Sequence, residues 1–349
     1  MGCLRRNARR FWAAPSASCS ASSLLWQPDH FHSRAEVGRT IQPSDYSFDG
    51  RVAVVTGAGR GLGRAYALLL AKRGASVVVN DLGTSMAGSG IDAGPAEGVV
   101  AEITAAGGSA IPDTNDIASP SSAAALIGAA VEQFGRIDIL INNAGVIDWA
   151  GMPDIDDDNF GRHLAVHLGG SFLTTRAAWP HLVKQEYGRI VMTTSSGVFG
   201  LPNNTSYAAA KGGVIGLTRS LATAGTPHGI RVNAIAPAAG TRMAGSAADE
   251  SGPMSADLVA PMAAYLAHES CPVTGEIYAA GAGRFARMVL AQVPGYVHPG
   301  DAPTIEDIAT QWDAINDERG FEVPNGLMAW SRMFLAHLHD ETLKSRRDA

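Results

Sequence analysis

Cysteine is scarce in this sequence, with three residues in a chain of 349. The cysteines stand far apart, at Cys3, Cys19 and Cys271, and their number is odd. A scattered, odd set supplies no disulfide framework. The pattern therefore excludes a small disulfide-stapled fold and indicates a reducing compartment.

Long apolar runs and basic blocks are missing as well. No uninterrupted apolar stretch approaches the roughly 18 residues that a membrane-spanning helix needs. The 27 basic side chains are outnumbered by 33 acidic ones, for a formal charge of -6, and the body of the chain has no cluster of lysine or arginine. The composition therefore argues against a nucleic-acid partner and against a membrane span.

Glycine and apolar residues are abundant, with 40 glycines and a hydrophobic content of 46%. That content is ample for a large core, and we expect a single α/β domain over residues 46–285. Residues 286–349 are expected to form a C-terminal helical extension that packs on the domain or on a partner subunit. Its one convincing predicted helix, Thr304 to Asp317, opens with a pattern that resembles a capping box.

The first 45 residues differ in composition from the rest of the chain. Four arginines in the first ten residues precede a serine-rich tract, and no acidic residue comes before Asp29. Such a composition is typical of an organellar transit peptide, and a disordered extension has it too. We expect a cytoplasmic protein, with a mitochondrial location as the alternative if residues 1–45 are a real transit peptide.

A glycine-rich turn, TGAGRGLG, lies between a predicted strand, 51–56, and a predicted helix, 62–72. Free N–H groups and the helix dipole at such a junction bind a phosphate, and glycine allows the backbone to approach it closely. An ordinary tight turn would explain the glycines alone, but the placement between strand and helix favours a dinucleotide site. The residues of this candidate site are Thr56, Gly57, Gly59, Arg60, Gly61, Leu62 and Gly63.

Asp81 ends the second predicted strand, about twenty residues after the glycine turn. A carboxylate there accepts the hydroxyl groups of an adenosine ribose. It would also repel a 2′-phosphate by about 4 kcal/mol per unit charge near 4 Å, at an effective dielectric of about 20. Asp81 therefore favours NAD over NADP, although Arg60 could soften the penalty. The alternative is a surface turn residue.

Strands and helices alternate along the chain, which predicts a doubly wound parallel sheet flanked by helices. The fourth strand, 136–141, is followed by the tetrapeptide NNAG. Asn143, Ala144 and Gly145 are either a plain turn or lie over a bound cofactor at the carboxyl end of the sheet. The remaining predicted strands are 76–79, 109–111, 190–192, 230–235 and 276–280.

The stretch 188–213 carries the most chemistry in the chain. A predicted strand end with four hydroxyl residues, 193–196, precedes a helical sequence that contains Tyr207 and Lys211. Their spacing of four puts the phenol and the ammonium on one helix face, one turn apart. A chance helical pair is the alternative, but no other tyrosine in the chain has a lysine four residues later. The arrangement suits proton transfer at an alcohol carbon.

These motifs together resemble the short-chain dehydrogenase/reductase family over about residues 48–285. The matching elements are TGxxxGxG at Thr56, Asp81, Asp116, NNAG at Asn142, Ser195, and YxxxK at Tyr207 and Lys211. The resemblance implies a Rossmann-type fold, nicotinamide chemistry and a homodimer or homotetramer. It also implies cofactor contacts from Asp116, Ile117, Pro237, Thr241, Tyr207 and Lys211.

A narrower resemblance is to the (3R)-hydroxyacyl-CoA dehydrogenase part of peroxisomal multifunctional enzymes. It is carried by VNDLG, VHLGGSF, IAPAAGTRM and LAHESC. Two departures from the wider family are shared with that branch: His167 replaces the usual Asn, and Pro237 is followed by Ala238 where the usual family has glycine. The resemblance implies an acyl-CoA substrate.

The resemblance implies oxidation of a secondary alcohol, with Tyr207 as the base and Ser195 binding the substrate oxygen. Thr194 and Ser196 stay open as alternatives, because counting back from Tyr207 at the family's spacing selects Thr194. A tyrosine pKa near 10 must fall by about three units, about 4 kcal/mol, and an ammonium at about 4–5 Å supplies about 3–4 kcal/mol. We therefore expect Lys211 to lower the pKa of Tyr207, while His167 holds a water that relays the proton.

The most specific prediction is an NAD-dependent 3-hydroxyacyl-CoA dehydrogenase acting on a fatty-acyl or steroid-derived chain. A dehydrogenase of free hydroxysteroids or other lipophilic alcohols is the alternative with the same site. A non-catalytic dinucleotide-binding protein is the alternative from another class. No metal is expected, since His337 and His339 would lie on different faces of a helix.

Overall fold

The computed structural model describes residues 46–240, 252–300 and 302–339. These residues all fall within one compact unit, Pro43–Ala349. The predicted extension of residues 1–45 lies outside the described residues. None of the described helices has the combination of length and hydrophobicity that a membrane crossing requires.

Eight strands in the described residues form a single sheet in the order β3-β2-β1-β4-β5-β6-β7-β8. The first seven strands pair in parallel, and β8 pairs antiparallel with β7. The strands are β1 (Val52–Thr56), β2 (Ser76–Asn80), β3 (Ser109–Asp113), β4 (Ile139–Asn142), β5 (Gly188–Thr193), β6 (Ile230–Ala238), β7 (Ile277–Gly281) and β8 (Arg284–Met288). The chain reverses its direction of travel between β1 and β4, and such a switch point forms a crevice at the carboxyl edge of the sheet.

Helices cover both faces of this sheet. The helices are α1 (Gly61–Lys72), α2 (Gly94–Ala105), α3 (Pro120–Phe134), α4 (Asp157–His163), α5 (Ser171–Lys184), α6 (Thr205–Gly225), α7 (Ala260–Ala267), α8 (Ile305–Thr310), α9 (Trp312–Ile315) and α10 (Leu327–Phe334). Alternate strand residues face opposite layers: Val55 packs with α1 and α2, while Val54 packs with α3 and α6. Strands buried on both faces account for the near-continuous apolar runs in the sequence. The predicted doubly wound fold is confirmed.

Two segments begin elsewhere than predicted. Strand β4 starts at Ile139 because the Asp138 side chain accepts hydrogen bonds from the Val52 N–H (3.0 Å) and the Arg136 guanidinium (2.6 and 2.8 Å). Within the glycine-rich stretch 83–98, whose composition is typical of a loop, α2 begins at Gly94, with Pro95 in the first turn as helix starts favour. A loop of residues 81–93 remains between β2 and α2.

The amphipathic segment 156–184 is not one regular helix. A π-helical segment, Leu164–Gly170, separates α4 from α5. Such single turns insert an extra residue into a helix and occur often at functional sites. Apolar periodicity does not distinguish this turn from an α-helix, so it could not be predicted from the sequence.

The C-terminal part contains a strand, β8, that was not predicted from the sequence. Strand β8 follows β7 through a two-residue turn, Ala282 and Gly283, both with positive φ as tight hairpins require. The expected boundary after residue 285 therefore falls inside a strand. The helix expected from Thr304 to Asp317 is instead two short helices, although its capping box is present. A hydrogen bond of 2.7 Å from Arg219 on α6 to the Pro324 carbonyl holds this part to the domain.

Candidate active site

The glycine turn between β1 and α1 is shaped by close contact with the segment after β4. Gly57 has φ +63°, and a Cβ there would lie 2.7 Å from the Ala144 Cα. A Cβ on Gly63 would lie 2.6 Å from the Asn143 amide nitrogen and would also collide with the Gly57 carbonyl. Glycine is therefore required at both positions for the two loops to approach each other.

Thr56 and Asn143 fasten these loops together. The Thr56 hydroxyl oxygen accepts hydrogen bonds from the Asn143 and Ala144 N–H groups, both at 3.0 Å. The Asn143 side chain donates to the carbonyls of Thr56 (3.0 Å) and Gly57 (3.1 Å). The sequence predicts cofactor contacts for Thr56 and Gly63, but both lie beneath the turn and do not line the crevice. Their role in the structure is to shape it.

Asp81 lies beside the same turn. Its carboxylate accepts hydrogen bonds from the Gly59 N–H (2.8 Å) and the Gly83 N–H (2.7 Å). A Cβ on Gly59 would lie 2.6 Å from the Pro95 Cβ and 2.8 Å from the carboxylate, so only glycine leaves room here. The negative charge is thus fixed next to the N-terminus of α1, at the end of β2.

A crevice of about 720 Å³ runs along the carboxyl edge of the sheet from this turn. Most of the predicted cofactor residues line it, and Thr241 lies outside the described residues. The predicted residues that line the crevice are Gly57, Gly59, Arg60, Gly61, Leu62, Asp81, Asp116, Ile117, Asn143, Ala144, Gly145, His167, Tyr207, Lys211 and Pro237. Free N–H groups at the start of α1, a cradle that accepts only glycine and a carboxylate beside it fit a dinucleotide.

Tyr207 and Lys211 lie at the other end of the crevice on α6. The Asn204 side chain caps this helix by accepting a hydrogen bond from the Tyr207 N–H at 3.1 Å. The Lys211 Nζ is 5.6 Å from the centre of the Tyr207 ring and donates to the Thr193 carbonyl at 2.7 Å. The helical spacing read from the sequence therefore places both side chains in the same crevice.

The three candidate hydroxyls have different surroundings. The buried Thr194 hydroxyl donates to the Lys211 carbonyl at 2.8 Å, and Ser196 is exposed. The Ser195 oxygen accepts from the Gly197 N–H at 3.0 Å, and the Ser195 side chain lies close enough to the Tyr207 phenol to lower the pKa of the tyrosine. Ser195 is thus the hydroxyl that the structure brings to Tyr207.

Burial controls the charge state of the tyrosine–lysine pair. Burial raises the pKa of Tyr207 above its ordinary value, and the hydrogen bond with Ser195 only partly opposes this. Burial also lowers the pKa of Lys211 to about 7. The expected lowering of the Tyr207 pKa by Lys211 is not seen in the protein chain alone, where burial is the largest cause acting on both groups.

His167 joins this cluster from the π-helical segment. Its buried ring lies edge-on to the Tyr207 ring with centroids 5.1 Å apart. Burial, and next the charge of Lys211, lower its pKa well below the ordinary value, so the ring is neutral. A Cβ on Gly145 would lie 2.5 Å from the His167 Cε1, so the glycine of the NNAG motif makes space for this imidazole.

The loop of residues 81–93 closes over part of the crevice, which the sequence did not predict. The Ile147 N–H donates to the Met86 carbonyl at 2.8 Å, and the Arg162 guanidinium donates to the Ala87 carbonyl at 3.1 Å. Met86 and Arg162 both line the crevice. These bonds join segments about 60 and 75 residues apart, and no local sequence signal reports them.

Apolar side chains stand exposed in the loops after β4 and β5. Trp149, Met152 and Phe199 are 54%, 75% and 80% exposed. The two loops meet at Gly151, where a Cβ would lie 3.4 Å from the Pro202 carbonyl oxygen. We call Trp149, Met152 and Phe199 the apolar rim.

No three histidine, cysteine, aspartate or glutamate side chains within the described residues lie close enough to hold a metal ion.

A phosphate-binding turn, an acid after the second strand and a Ser–Tyr–Lys cluster at the switch point define an α/β oxidoreductase of the dinucleotide-binding class. The family model described as short chain dehydrogenase matches residues 51–251. The chain belongs to the short-chain dehydrogenase/reductase family, whose members bind a nicotinamide dinucleotide. The alternative of a non-catalytic binding protein finds no support, since named relatives are oxidoreductases.

The narrower resemblance is confirmed as well. The chain is 42% identical over 279 residues to the mouse peroxisomal multifunctional enzyme type 2, covering 78% of this chain and 38% of that one. It is 40% identical over 302 residues to the Neurospora crassa peroxisomal hydratase-dehydrogenase-epimerase, covering 85% of this chain and 33% of that one. This chain thus spans little more than a third of the length of these relatives.

A solved structure of 7α-hydroxysteroid dehydrogenase, complexed with NADH and 7-oxo glycochenodeoxycholic acid, is similar in fold and sequence. The TM-score is 0.63 at 30% identity, covering 70% of this chain and 98% of that one. The matched region thus spans nearly the whole of that dehydrogenase chain.

Proposed function

We propose that this protein oxidises a 3-hydroxyacyl-CoA to the 3-ketoacyl-CoA with NAD as the hydride acceptor. The observation that carries the proposal is the convergence of Tyr207, Lys211 and His167 in the lining of the crevice, with Ser195 beside Tyr207. That cluster holds a hydroxyl for the substrate oxygen, a phenol for its proton and two nitrogen groups behind the phenol. Such a set suits proton removal from an alcohol.

The choice of NAD rests on Asp81. Its carboxylate lies against Gly59, where the adenosine end of a dinucleotide passes in this fold. A 2′-phosphate placed there would meet the carboxylate at close range, with repulsion of about 4 kcal/mol per unit charge near 4 Å. Two backbone donors hold the carboxylate in place, so it cannot swing away without leaving those N–H groups unpaired.

The cofactor preference is tested with Asp81→Asn. The amide keeps the size of the side chain and removes the charge, so we expect the ratio of kcat/KM for NAD over NADP to fall by about tenfold or more. Steady-state kinetics with both dinucleotides measure this ratio. Asp92→Asn is a matched control in the same loop, because Asp92 does not line the crevice. A ratio unchanged in Asp81→Asn would contradict the assignment.

The proton chemistry falls to the residues of the cluster. Bound in the crevice, a nicotinamide ring supplies the hydride acceptor and a positive charge. The Ser195 hydroxyl donates to the substrate oxygen and holds it beside Tyr207, whose phenolate oxygen takes the alcohol proton. Lys211 stabilises the phenolate, and the free Nδ1 of His167 accepts a hydrogen bond from a water that carries the proton onward. The raised pKa of Tyr207 means that oxidation gains from alkaline pH.

The acyl part of the substrate is supported by the apolar rim and by the relatives. Exposed Trp149, Met152 and Phe199, in the loops after β4 and β5, offer apolar surface that a hydrocarbon chain or a steroid nucleus can cover. A relative named hydratase-dehydrogenase-epimerase joins hydration and dehydrogenation in one chain. Hydration of an enoyl group yields a secondary alcohol, and a dehydrogenase of the present kind consumes it.

The experiment that tests the substrate is a panel of (3R)- and (3S)-hydroxyacyl-CoAs of several chain lengths, assayed with NAD for NADH formation. We expect turnover of the CoA thioesters and much weaker turnover of the free hydroxy acids. A second candidate, a dehydrogenase of free hydroxysteroids, is favoured by the likeness to the bile-acid-bound dehydrogenase structure. Higher kcat/KM on a free hydroxysteroid than on every thioester would select that candidate instead.

We also propose a homodimer or homotetramer, located in the cytoplasm. Exposed apolar side chains in the described C-terminal residues, such as Trp312, Leu327 and Met328, support assembly. Light scattering after size-exclusion chromatography measures the mass, and a single 36 kDa species would contradict assembly.

Fractionation of cells together with mass spectrometry of the native N-terminus tests the compartment, and a mitochondrial form lacking residues 1–45 would select the alternative.

A further inference from the structure

The hydrogen bonds of His167 assign its tautomer. Its Nε2 lies 2.7 Å from the Val146 carbonyl oxygen, and a carbonyl only accepts, so Nε2 carries the hydrogen. The Val146 N–H also points to Nε2, at the longer distance of 3.3 Å, and cannot bond it at the same time. In the neutral ring Nδ1 is then a bare acceptor. It is buried and has no hydrogen-bond partner among the described residues.

A second buried histidine, His163, lies directly behind His167 and has the opposite tautomer. Its Nδ1 lies 2.8 Å from the Asn159 carbonyl and must donate to it. Its Nε2 accepts a hydrogen bond from the Asp148 N–H at 3.3 Å. Both ring nitrogens of His163 are therefore occupied, and its ring cannot turn without losing both bonds. The side chain does not line the crevice.

The two imidazoles stack on each other. Their centroids are 5.9 Å apart with an angle of 17° between the planes, an offset stack. Both rings stand edge-on to the Tyr207 ring, at 5.1 Å for His167 and 6.4 Å for His163. His163 is the last residue of α4 and His167 lies within the π-helical segment that follows, so the start of that segment sets their relative orientation.

Asn159 ties this stack to the helix that carries the tyrosine. Its side chain accepts a hydrogen bond from the Ser206 hydroxyl at 2.8 Å and donates to the Asp148 carbonyl at 3.0 Å. Ser206 immediately precedes Tyr207 on α6. The backbone groups that hold His163 are thus fixed by the same network that fixes Tyr207, and Asn159, His163 and Ser206 are buried.

We propose that His163 is a positioning residue for this oxidoreductase. It keeps the His167 ring in the orientation in which Nε2–H bonds to Val146 and Nδ1 is left as a bare acceptor within the cluster that holds Tyr207. The water relay proposed above needs an acceptor at that point, and an imidazole free to flip would present a donor or a carbon there instead. This inference rests on the proposed function for its kinetic consequence, while its structural part concerns the free protein.

The direct test is histidine-labelled NMR of the full chain without cofactor. Long-range ¹H–¹⁵N spectra distinguish protonated from bare ring nitrogens for each of the ten histidines, and His163→Phe and His167→Asn assign the two signals. We expect an Nε2–H ring for His167 and an Nδ1–H ring for His163. A proton on Nδ1 of His167 in the wild-type protein would overturn the proposal.

The second test compares kcat with KM in His163→Phe, which keeps a flat ring for stacking and loses both hydrogen bonds. We expect the single tautomer of His167 to be lost and kcat to fall about tenfold while KM stays within about twofold. His163→Asn retains a donor in the position of Nδ1. We expect its kcat to lie between those of the wild type and of His163→Phe. If both variants fold and kcat and the His167 signals are unchanged, His163 has no positioning role.

His268→Gln is the matched control. His268 is buried as well, but bonds to Ser270 and to the Ser47 carbonyl, remote from the crevice. We expect it to lower stability without a change in kcat or in the His167 signals. Wild-type protein that turns over no hydroxyacyl-CoA and no hydroxysteroid would defeat the proposed function, whereas the NMR result would still decide the orientation of His167.

Discussion

Ser195 and Thr194 are neighbours in the chain, yet their hydroxyls have different partners. The Thr194 hydroxyl is buried against the Lys211 carbonyl, and that of Ser195 meets the Tyr207 phenol. We predict that Ser195→Ala lowers kcat by about 10²–10³, the usual effect of removing one donor to a developing oxyanion. Thr194→Ala should retain most of kcat and lose about 1–2 kcal/mol of stability. Turnover assays with urea unfolding measure both, and the reverse outcome would select Thr194.

Lys211 makes stability depend on pH in a predictable direction. Its pKa is about 7 in the folded chain, against an ordinary value of 10.5 in the unfolded one. Between those values the unfolded state binds more protons, so the contribution of Lys211 to stability rises with pH. We predict that the stability of the wild type relative to Lys211→Met increases by up to about 1 kcal/mol per pH unit from pH 7 to 10. Denaturant unfolding of both proteins across that range measures it. A relative stability that does not rise over this range would mean that Lys211 stays charged in the folded protein.

The candidate site was predictable where one short segment carries the signal. The spacing of Tyr207 and Lys211 is a property of a single helix, and it placed both side chains correctly in one crevice. The roles of Thr56 and Gly63 could not be predicted, because they depend on contacts with a loop some 80–90 residues further along the chain. The rise in the Tyr207 pKa was missed for the same kind of reason, since burial is a property of the assembled site.

At the scale of secondary structure, α6 starts two residues before Tyr207. Asn204 caps the helix through the Tyr207 N–H, so one hydrogen bond both begins the helix and orients the phenol. We predict that Asn204→Ala lowers stability by about 1 kcal/mol and lowers kcat as well, whereas Asn204→Asp keeps the cap and most of the activity. Thermal melts and turnover assays of both variants measure the changes in stability and kcat. Full activity in the alanine variant would show that the cap does not position Tyr207.

Elements followed from the sequence where apolar periodicity and turn residues agree. The first seven strands and the helices between them were recognised within a few residues, because buried parallel strands are short apolar runs bounded by glycine and proline. The π-helical turn and β8 were missed. The π turn has the same apolar pattern as a helix, and β8 is an exposed edge strand of mixed composition that becomes visible only through its pairing with β7.

At the scale of the molecule, the doubly wound sheet brings together residues that are distant in the sequence. The glycine turn follows β1, Asp81 follows β2, NNAG follows β4 and the hydroxyl cluster follows β5, so all emerge on one edge. The order of the strands puts β1 and β4 side by side, and the crevice opens between their loops. The proposed binding and proton-transfer sites therefore depend on the fold as a whole.

The central claim is that the Tyr207 phenol moves the substrate proton next to a bound dinucleotide. The measurement that tests it most directly is NADH formation from a 3-hydroxyacyl-CoA by Tyr207→Phe, together with the affinity of that variant for NAD. Removal of the acid–base group should lower kcat by about 10³ or more. The NAD dissociation constant should stay within about threefold, because the glycine turn and Asp81 are unchanged. Near-normal turnover in Tyr207→Phe would contradict the account.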